Sequence, residues 1–294
     1  MAGRTSAVPG SSSGAYWFTG AALVGFAANS LLARQALGVG LADATSFTGV
    51  RLASGALALA LLVRVAPGRP RVAGGTWLSA TALFAYAIAF SYAYLRIPAG
   101  FGALILFGAV QITMIGWGLL QGERPGAVEW TGLAVAVAGF VWLTAPGRLA
   151  PDPLGALLMG LAGVSWGIYS VRGRGPSHPL GATADNFLRS VALAGVAMAL
   201  DARSLNLSTA GLALAVSSGA LASGVGYTLW YAALPRLTAV RAAAAQLSVP
   251  VLASLGAVIF LGEHLTTRLV GAGLIILSGV ALAVFGRVVL GDGR

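Results

Sequence analysis

Ten apolar runs, most of them about twenty residues long, dominate this chain and limit its fold more than any other feature. They span 15–36, 43–64, 74–95, 98–120, 126–144, 153–171, 182–200, 209–232, 239–261 and 267–289. About twenty apolar residues in a helix cross the hydrocarbon core of a bilayer. Only helices and closed barrels satisfy their backbone hydrogen bonds there, and these runs lack the polar–apolar alternation of barrel strands. The breakers Pro67-Gly68, Pro146-Gly147, Pro151 to Pro153 and Pro176 to Pro179 fall between runs. Composition agrees: 57% of the 294 residues are hydrophobic and 9% are charged, against roughly a quarter charged in soluble chains. The expectation is an all-α integral membrane protein with ten transmembrane helices.

The runs are two copies of one unit. Ile97–Leu143 carries the turn Gly122-Glu123-Arg124-Pro125, and the stretch from Leu237 carries Gly262-Glu263-His264-Leu265; 263 − 123 gives an offset of 140. The same offset takes Arg96 to Arg236, Ala99 to Ala239, Gly139 to Gly279, Phe26 to Trp166, Ser30 to Ser170 and Arg34 to Arg174. Internal repeats decide an architecture before other signals do. Five spans per copy is an odd number, so the second copy enters the membrane upside down, and two inverted halves enclose a path near mid-membrane. The boundaries expected are a disordered cytoplasmic N-terminus at 1–14, a first five-helix repeat at 15–145 and a second at 153–289.

The net charge of +10 is carried by arginine alone, without lysine. No basic patch with interleaved aromatics lies on a polar face, which argues against a nucleic-acid partner. Counting arginines at the ends of the spans orients the chain. With the N-terminus inside, Arg4, Arg64, Arg69, Arg71, Arg124, Arg172, Arg174, Arg236, Arg287 and Arg294 lie inside, and only Arg34, Arg96, Arg148, Arg203 and Arg268 lie outside. Both termini are therefore expected in the cytoplasm. The chain has no cysteine, which excludes disulfides, thiolate catalysis and cysteine-held metals. With two histidines, His178 and His264, both in loops, no metal cluster is expected, nor any cofactor. A membrane enzyme would need clustered carboxylates, histidines or a nucleophile with its base at depth, and the pattern holds none.

Aromatic and polar side chains at depth are the candidates for binding a solute. Tyr86, Phe90 and Tyr94 share a face of the third span; Phe107, Gln111 and Met114 share one on the fourth. Trp166 and Tyr169 lie three apart on the sixth, and Tyr227, Trp230 and Tyr231 share a face of the eighth. A cavity for a flat apolar solute needs aromatic walls with a few polar groups; plain packing is the competing reading. Tyr16, Trp17, Trp77, Trp130, Trp142 and Tyr231 fit an interfacial belt instead. Asn29, Ser30, Gln111, Ser165 and Gln246 are polar within spans, where they face the bundle or bridge helices at about 0.6 kcal/mol each. Gln246 lies four residues before Pro250, whose ring frees the Gln246 carbonyl. Asn29, Tyr86, Phe90, Phe107, Gln111, Trp166, Tyr169, Tyr227 and Gln246 form the expected substrate-binding set.

Arg51, Arg189 and Arg241 lie near span ends. They either attract a substrate carboxylate or snorkel and cap helix ends; for Arg51 the second is expected. Glu123 and Glu263 sit in tight surface turns and are expected to cap the helix that follows. Leu133–Gly139 and Val270–Gly273 are small-residue contact surfaces, within the bundle or in a dimer.

These residues resemble the drug/metabolite transporter superfamily in its ten-helix EamA-type branch. The resemblance covers about residues 15 to 289. It rests on the doubled Gly-Glu turns LLQGERP and IFLGEHLT, each followed by a glycine-rich span. It also rests on Arg51-Leu52, on YTLWYAAL at the end of the eighth span, and on Pro250 in QLSVPVLASLGAV. Val110 stands where a matching proline is common. Within the superfamily the aromatic content and length look closest to YddG-type exporters of aromatic amino acids. The resemblance implies a multi-pass inner-membrane transporter, monomer or homodimer, exporting aromatic or other apolar amino acids by alternating access. No carboxylate lies mid-span, so coupling through a buried carboxylate is not expected. A carrier of another metabolite, such as a sugar phosphate or drug-like solute, and a channel are the alternatives.

Overall fold

The computed structural model describes residues 12–66, 71–122, 126–173, 178–233 and 245–289. Among these every regular element is a helix, apart from one isolated antiparallel bridge between Ala42 and Leu207. The helices are α1 (Ser12–Gly38), α2 (Ala44–Val65), α3 (Trp77–Tyr94), α4 (Ala99–Leu120) and α5 (Ala127–Thr144), then α6 (Pro153–Arg172), α7 (Pro179–Leu200) and α8 (Thr209–Val216). A π-helical stretch, Ser217–Val225, joins α8 to α9 (Gly226–Ala233), and α10 (Ser248–Leu261) and α11 (Thr267–Val289) follow. Ala44–Val65, Ala99–Leu120, Ala127–Thr144, Pro153–Arg172 and Thr209–Trp230 are long and apolar enough to cross a membrane. The helix of the first span starts at Ser12, inside the stretch expected to be disordered, and residues 1–11 lie outside the described residues.

Local chemistry sets the helix starts. Asp43, Thr76, Asp152 and Ser208 accept a hydrogen bond from the backbone N–H three residues on, which satisfies donors that no helix bonds internally. Leu247 breaks the ninth run, so α10 begins at Ser248 with Pro250 in its first turn, where the missing N–H costs no helical bond. Through Val110, without proline, α4 is continuous.

Gly122 and Gly262, related by the offset, both take left-handed backbone, with φ of 87° and 64°. Glycine reaches that region without a Cβ penalty. The turn at Gly262 directs Glu263 back across the bundle. Its carboxylate accepts the Ala99 N–H at the start of α4, at 2.8 and 3.0 Å, and the Arg34 Nε–H at 3.2 Å. It therefore caps α4 and not, as expected, the helix that follows. Glu123 lies outside the described residues.

Packing brings α5 against α11, α2 against α7, α6 against α3 and α4, and α1 against the π stretch, α9 and α10. The α5–α11 contact is backbone-close: a Cβ on Gly132 would meet the Gly279 carbonyl and Ala283, and one on Gly279 would meet Gly132 and Ala136. The small residues of both stretches thus serve contacts inside the bundle: Gly139 abuts Ile275 and Ile276, and Gly271 abuts Trp142. Trp17, Trp77, Trp130 and Trp142 are exposed, as a belt requires.

At the end of the bundle where α2 begins, two loops clasp. Asp43 accepts the Ser46 and Asn206 N–H groups and its own N–H reaches the Asn206 carbonyl; Thr45 donates to Asp201. Burial pushes the Asp43 carboxyl up, but the hydrogen bonds from Ser46, Asn206 and Thr45 outweigh it and hold the group below its ordinary 3.8. Its stabilisation is therefore present above that value and lost as pH falls below it. Asp43→Ala should lower stability by about 1 kcal/mol, and the loss should vanish in melts taken well below pH 3.8. Gly279→Val should cost at least about 2 kcal/mol by overpacking α5 against α11, read as a fall in thermal midpoint in detergent.

Candidate functional site

An aromatic wall runs through the middle of the bundle. Tyr227 of α9 stacks on Trp166 of α6 at 5.2 Å between centroids with 22° between planes. Trp166 meets Tyr86 of α3 at 4.9 Å, Tyr86 meets Phe90 at 5.4 Å, and Phe90 meets Tyr94 edge-on at 4.7 Å. Phe26 of α1 closes the other side against Tyr227 and Trp230, at 5.8 and 5.9 Å. Offset and tilted pairs of this kind add to the stability of burial alone.

The wall bounds a central chamber. Asn29, Tyr86, Phe90, Phe107, Trp166, Tyr227 and Gln246, seven of the nine residues expected from sequence, line it. Two do not. Gln111 is buried on α4 but lies one helical turn beyond Phe107, past the chamber. Tyr169 packs on Trp166 at 5.4 Å and faces a second cavity. Phe26, Ser30, Leu106, Ala222 and Ser223 also line the chamber. Phe26 and Leu106 are the offset partners of Trp166 and Gln246, so the repeat itself marked them. Ala222 and Ser223 come from the π stretch SSGALASGV, whose cluster of small residues was the available signal.

A chain of hydrogen bonds links four elements beside the chamber. The Ser218 hydroxyl donates to Asn29 Oδ1 at 2.6 Å, Asn29 Nδ2 donates to the Tyr86 oxygen at 3.2 Å, and Arg51 Nη2 donates to the same oxygen at 2.8 Å. Arg51 does not snorkel: it is 2% exposed. Its guanidinium lies over the Tyr86 and Phe90 rings at 5.1 and 4.9 Å. Arg189, by contrast, pairs with Asp185 at 3.0 Å and covers the Trp77 ring. Arg241 lies outside the described residues.

The chamber holds about 20 Å³ of water-accessible space, enough for about one water. The second cavity is larger, about 290 Å³, and lies at the end where α3 and α7 begin and α6 stops. Thr76, Ser79, Thr183, Asn186 and Arg172 make it polar, and Arg172 donates to Ser79 and Thr76. At the opposite end of α3, Arg34 donates to the Tyr94 carbonyl at 2.8 Å while paired with Glu263. One end is thus a polar vestibule and the other is crossed by the Arg34–Glu263 pair, with Trp166 and Tyr169 between vestibule and chamber.

Apolar helices long enough to cross a membrane gather around an interior chamber, and the chain carries a domain of the EamA-like transporter family. That family matches residues 153–285. The uncharacterized protein PA1977 of Pseudomonas aeruginosa is 51% identical over 266 residues, covering 90% of this chain and 93% of that protein. The uncharacterized inner membrane transporter YedA of Escherichia coli K12 is 30% identical over 86 residues, 29% of this chain and 28% of its own. A solved crystal structure of another protein superposes with a TM-score of 0.66 at 20% identity, covering 93% of this chain and 98% of the other; that likeness concerns fold alone.

Tyr86→Phe should leave Arg51 and the Asn29 amide without their acceptor. A buried charged donor left unpaired costs about 2–3 kcal/mol, and unfolding in detergent should register a loss of that size.

Proposed function

We propose that the protein is an inner-membrane carrier whose ten helices form two inverted five-helix repeats, and that it exports small metabolites by alternating access. Aromatic or other apolar amino acids are its substrates. The observation that carries this reading is the unequal state of the two ends of α3: a polar vestibule at one, the Arg34–Glu263 lock at the other, and an aromatic chamber between.

The packing supports the repeat. Under the offset, the contact of α6 with α3 corresponds to that of α1 with the α8–α9 rod, and α6 with α4 corresponds to α1 with α10. The pairs α2–α7 and α5–α11 correspond to themselves. Inverted repeats of this kind move a central site between two sides by rocking. The arginine count puts the vestibule end in the cytoplasm, so this conformation faces inward and its outer end is closed. Among the described residues, no Asp, Glu or His lines the chamber, which favours facilitated export over coupling through a buried carboxylate. Seven of the nine expected residues supply the chamber's wall, and apolar aromatic contact favours weak binding and ready release.

Proteoliposomes with labelled Phe, Trp, Met and Ala test the reading. Saturable uptake, faster when unlabelled substrate is on the far side, is expected of a carrier. Uptake that does not saturate and shows no such acceleration would mean a channel, and no movement above empty liposomes would remove the amino-acid assignment. The absence of cysteine permits a second test. Ile97, fully buried beside the lock, becomes a reporter as Ile97→Cys. Adding Glu263→Gln should raise its labelling by an impermeant maleimide about 5- to 30-fold, the effect of 1–2 kcal/mol on an equilibrium.

A further inference from the structure

We infer that Arg51 is the anchor for a substrate carboxylate, so that the chamber selects organic monoanions and zwitterions over amines. The inference rests on the carrier reading above and names the charged group its substrate must carry. Arg51 is 2% exposed, and an arginine cannot shed its proton to escape burial. Among the described residues the ion pairs are Arg34–Glu263, Arg96–Asp152 and Arg189–Asp185; Arg51 has none. Its Nη2 reaches the Tyr86 oxygen, while Nε and Nη1 are buried with no acceptor. A buried cation is ordinarily paired or hydrated. The rings beneath it offset part of that requirement and leave the unfilled donors.

The neighbours point the same way. Arg51 and the Asn29 amide both donate to the Tyr86 oxygen, so the phenolic proton of Tyr86 is itself left to donate. Tyr86 and Phe90, on which the guanidinium lies, are chamber walls. The corner therefore offers N–H and O–H donors and no acceptor with charge. A single guanidinium suits a carboxylate; a dianionic phosphate would call for more cations than the described residues place at this corner. The aromatic wall takes the apolar body of the same molecule.

The test is binding to the purified, detergent-solubilised full chain, read by thermal shift and by isothermal titration. The probes are L-phenylalanine, 3-phenylpropanoate, phenethylamine and benzyl alcohol. The first two should bind at least ten times more tightly than the last two, and Arg51→Met should erase that difference while Arg51→Lys keeps part of it. If phenethylamine binds as well as 3-phenylpropanoate to the unaltered protein, the inference is overturned whatever the variants do. If Arg51→Met folds and keeps full carboxylate preference, it is overturned as well. Should Arg51→Met fail to fold, the wild-type ranking and Arg51→Lys still decide it. Counterflow of phenylalanine separates this from the carrier reading: transport that persists with no carboxylate preference removes the anchor and leaves the carrier.

Discussion

Inside a bilayer no water completes an unfinished hydrogen bond, so a polar group placed at depth is costly unless the bundle or a ligand supplies its partner. That requirement explains the path from Ser218 through Asn29 and Tyr86 to Arg51. It ties the π stretch, α1, α3 and α2 together at one level. The π stretch has a reason in the same terms. Its glycines let α2 approach until a Cβ on Gly219 would strike the Arg51 carbonyl, and Ser223 donates to the Ser218 carbonyl five residues back. The wider turn presents Ser218 to Asn29 and Ser223 to the chamber. π-helical turns of this kind often accompany functional sites.

The two ends of α3 are closed by different physics. At the vestibule end, hydroxyls, an amide and Arg172 surround open space that water can fill. At the other end, one carboxylate meets both an arginine and the first N–H of α4, while the Asp43 clasp joins the neighbouring loops. A charge-assisted bond to a helix N-terminus is among the stronger surface contacts, yet it amounts to only about 1–3 kcal/mol. On the proposed rocking of the halves, a lock of that size would bias two arrangements without freezing either.

Helix existence and order were legible because the signal was long: twenty apolar residues leave few alternatives. The chamber was legible where spacing and depth agreed, as with Tyr86, Phe90 and Trp166. Three things were not. The direction of Arg51 could not be read, because an arginine two turns from a helix start reaches solvent or interior with equal ease; only the Tyr86 oxygen and the two rings settle it. Glu263 caps α4 and not the helix its position in the sequence suggests, because the left-handed Gly262 turns its carboxylate away from its sequence neighbours. Gln111 shares a face with Phe107 by helical spacing, yet a shared face runs the length of a helix and the chamber occupies only part of it.

The chamber's size completes the argument. A chamber with room for about one water is too small for an amino acid, so on the carrier reading a loaded state would require the aromatic wall to part. The contacts that must yield are ring pairs, each adding only about 0.5–1.5 kcal/mol beyond area burial, and they can re-form around a flat solute at little net cost. The hydrogen-bonded chain behind the wall is different in kind, since opening it would strand a cation. On the carrier reading, the side lined by Asn29 and Tyr86, with Arg51 behind it, would stay fixed, and the side lined by Trp166, Tyr227 and Phe26 would move. A substrate held by its charged end on the fixed side and by its apolar body on the moving side would couple its own binding to that motion.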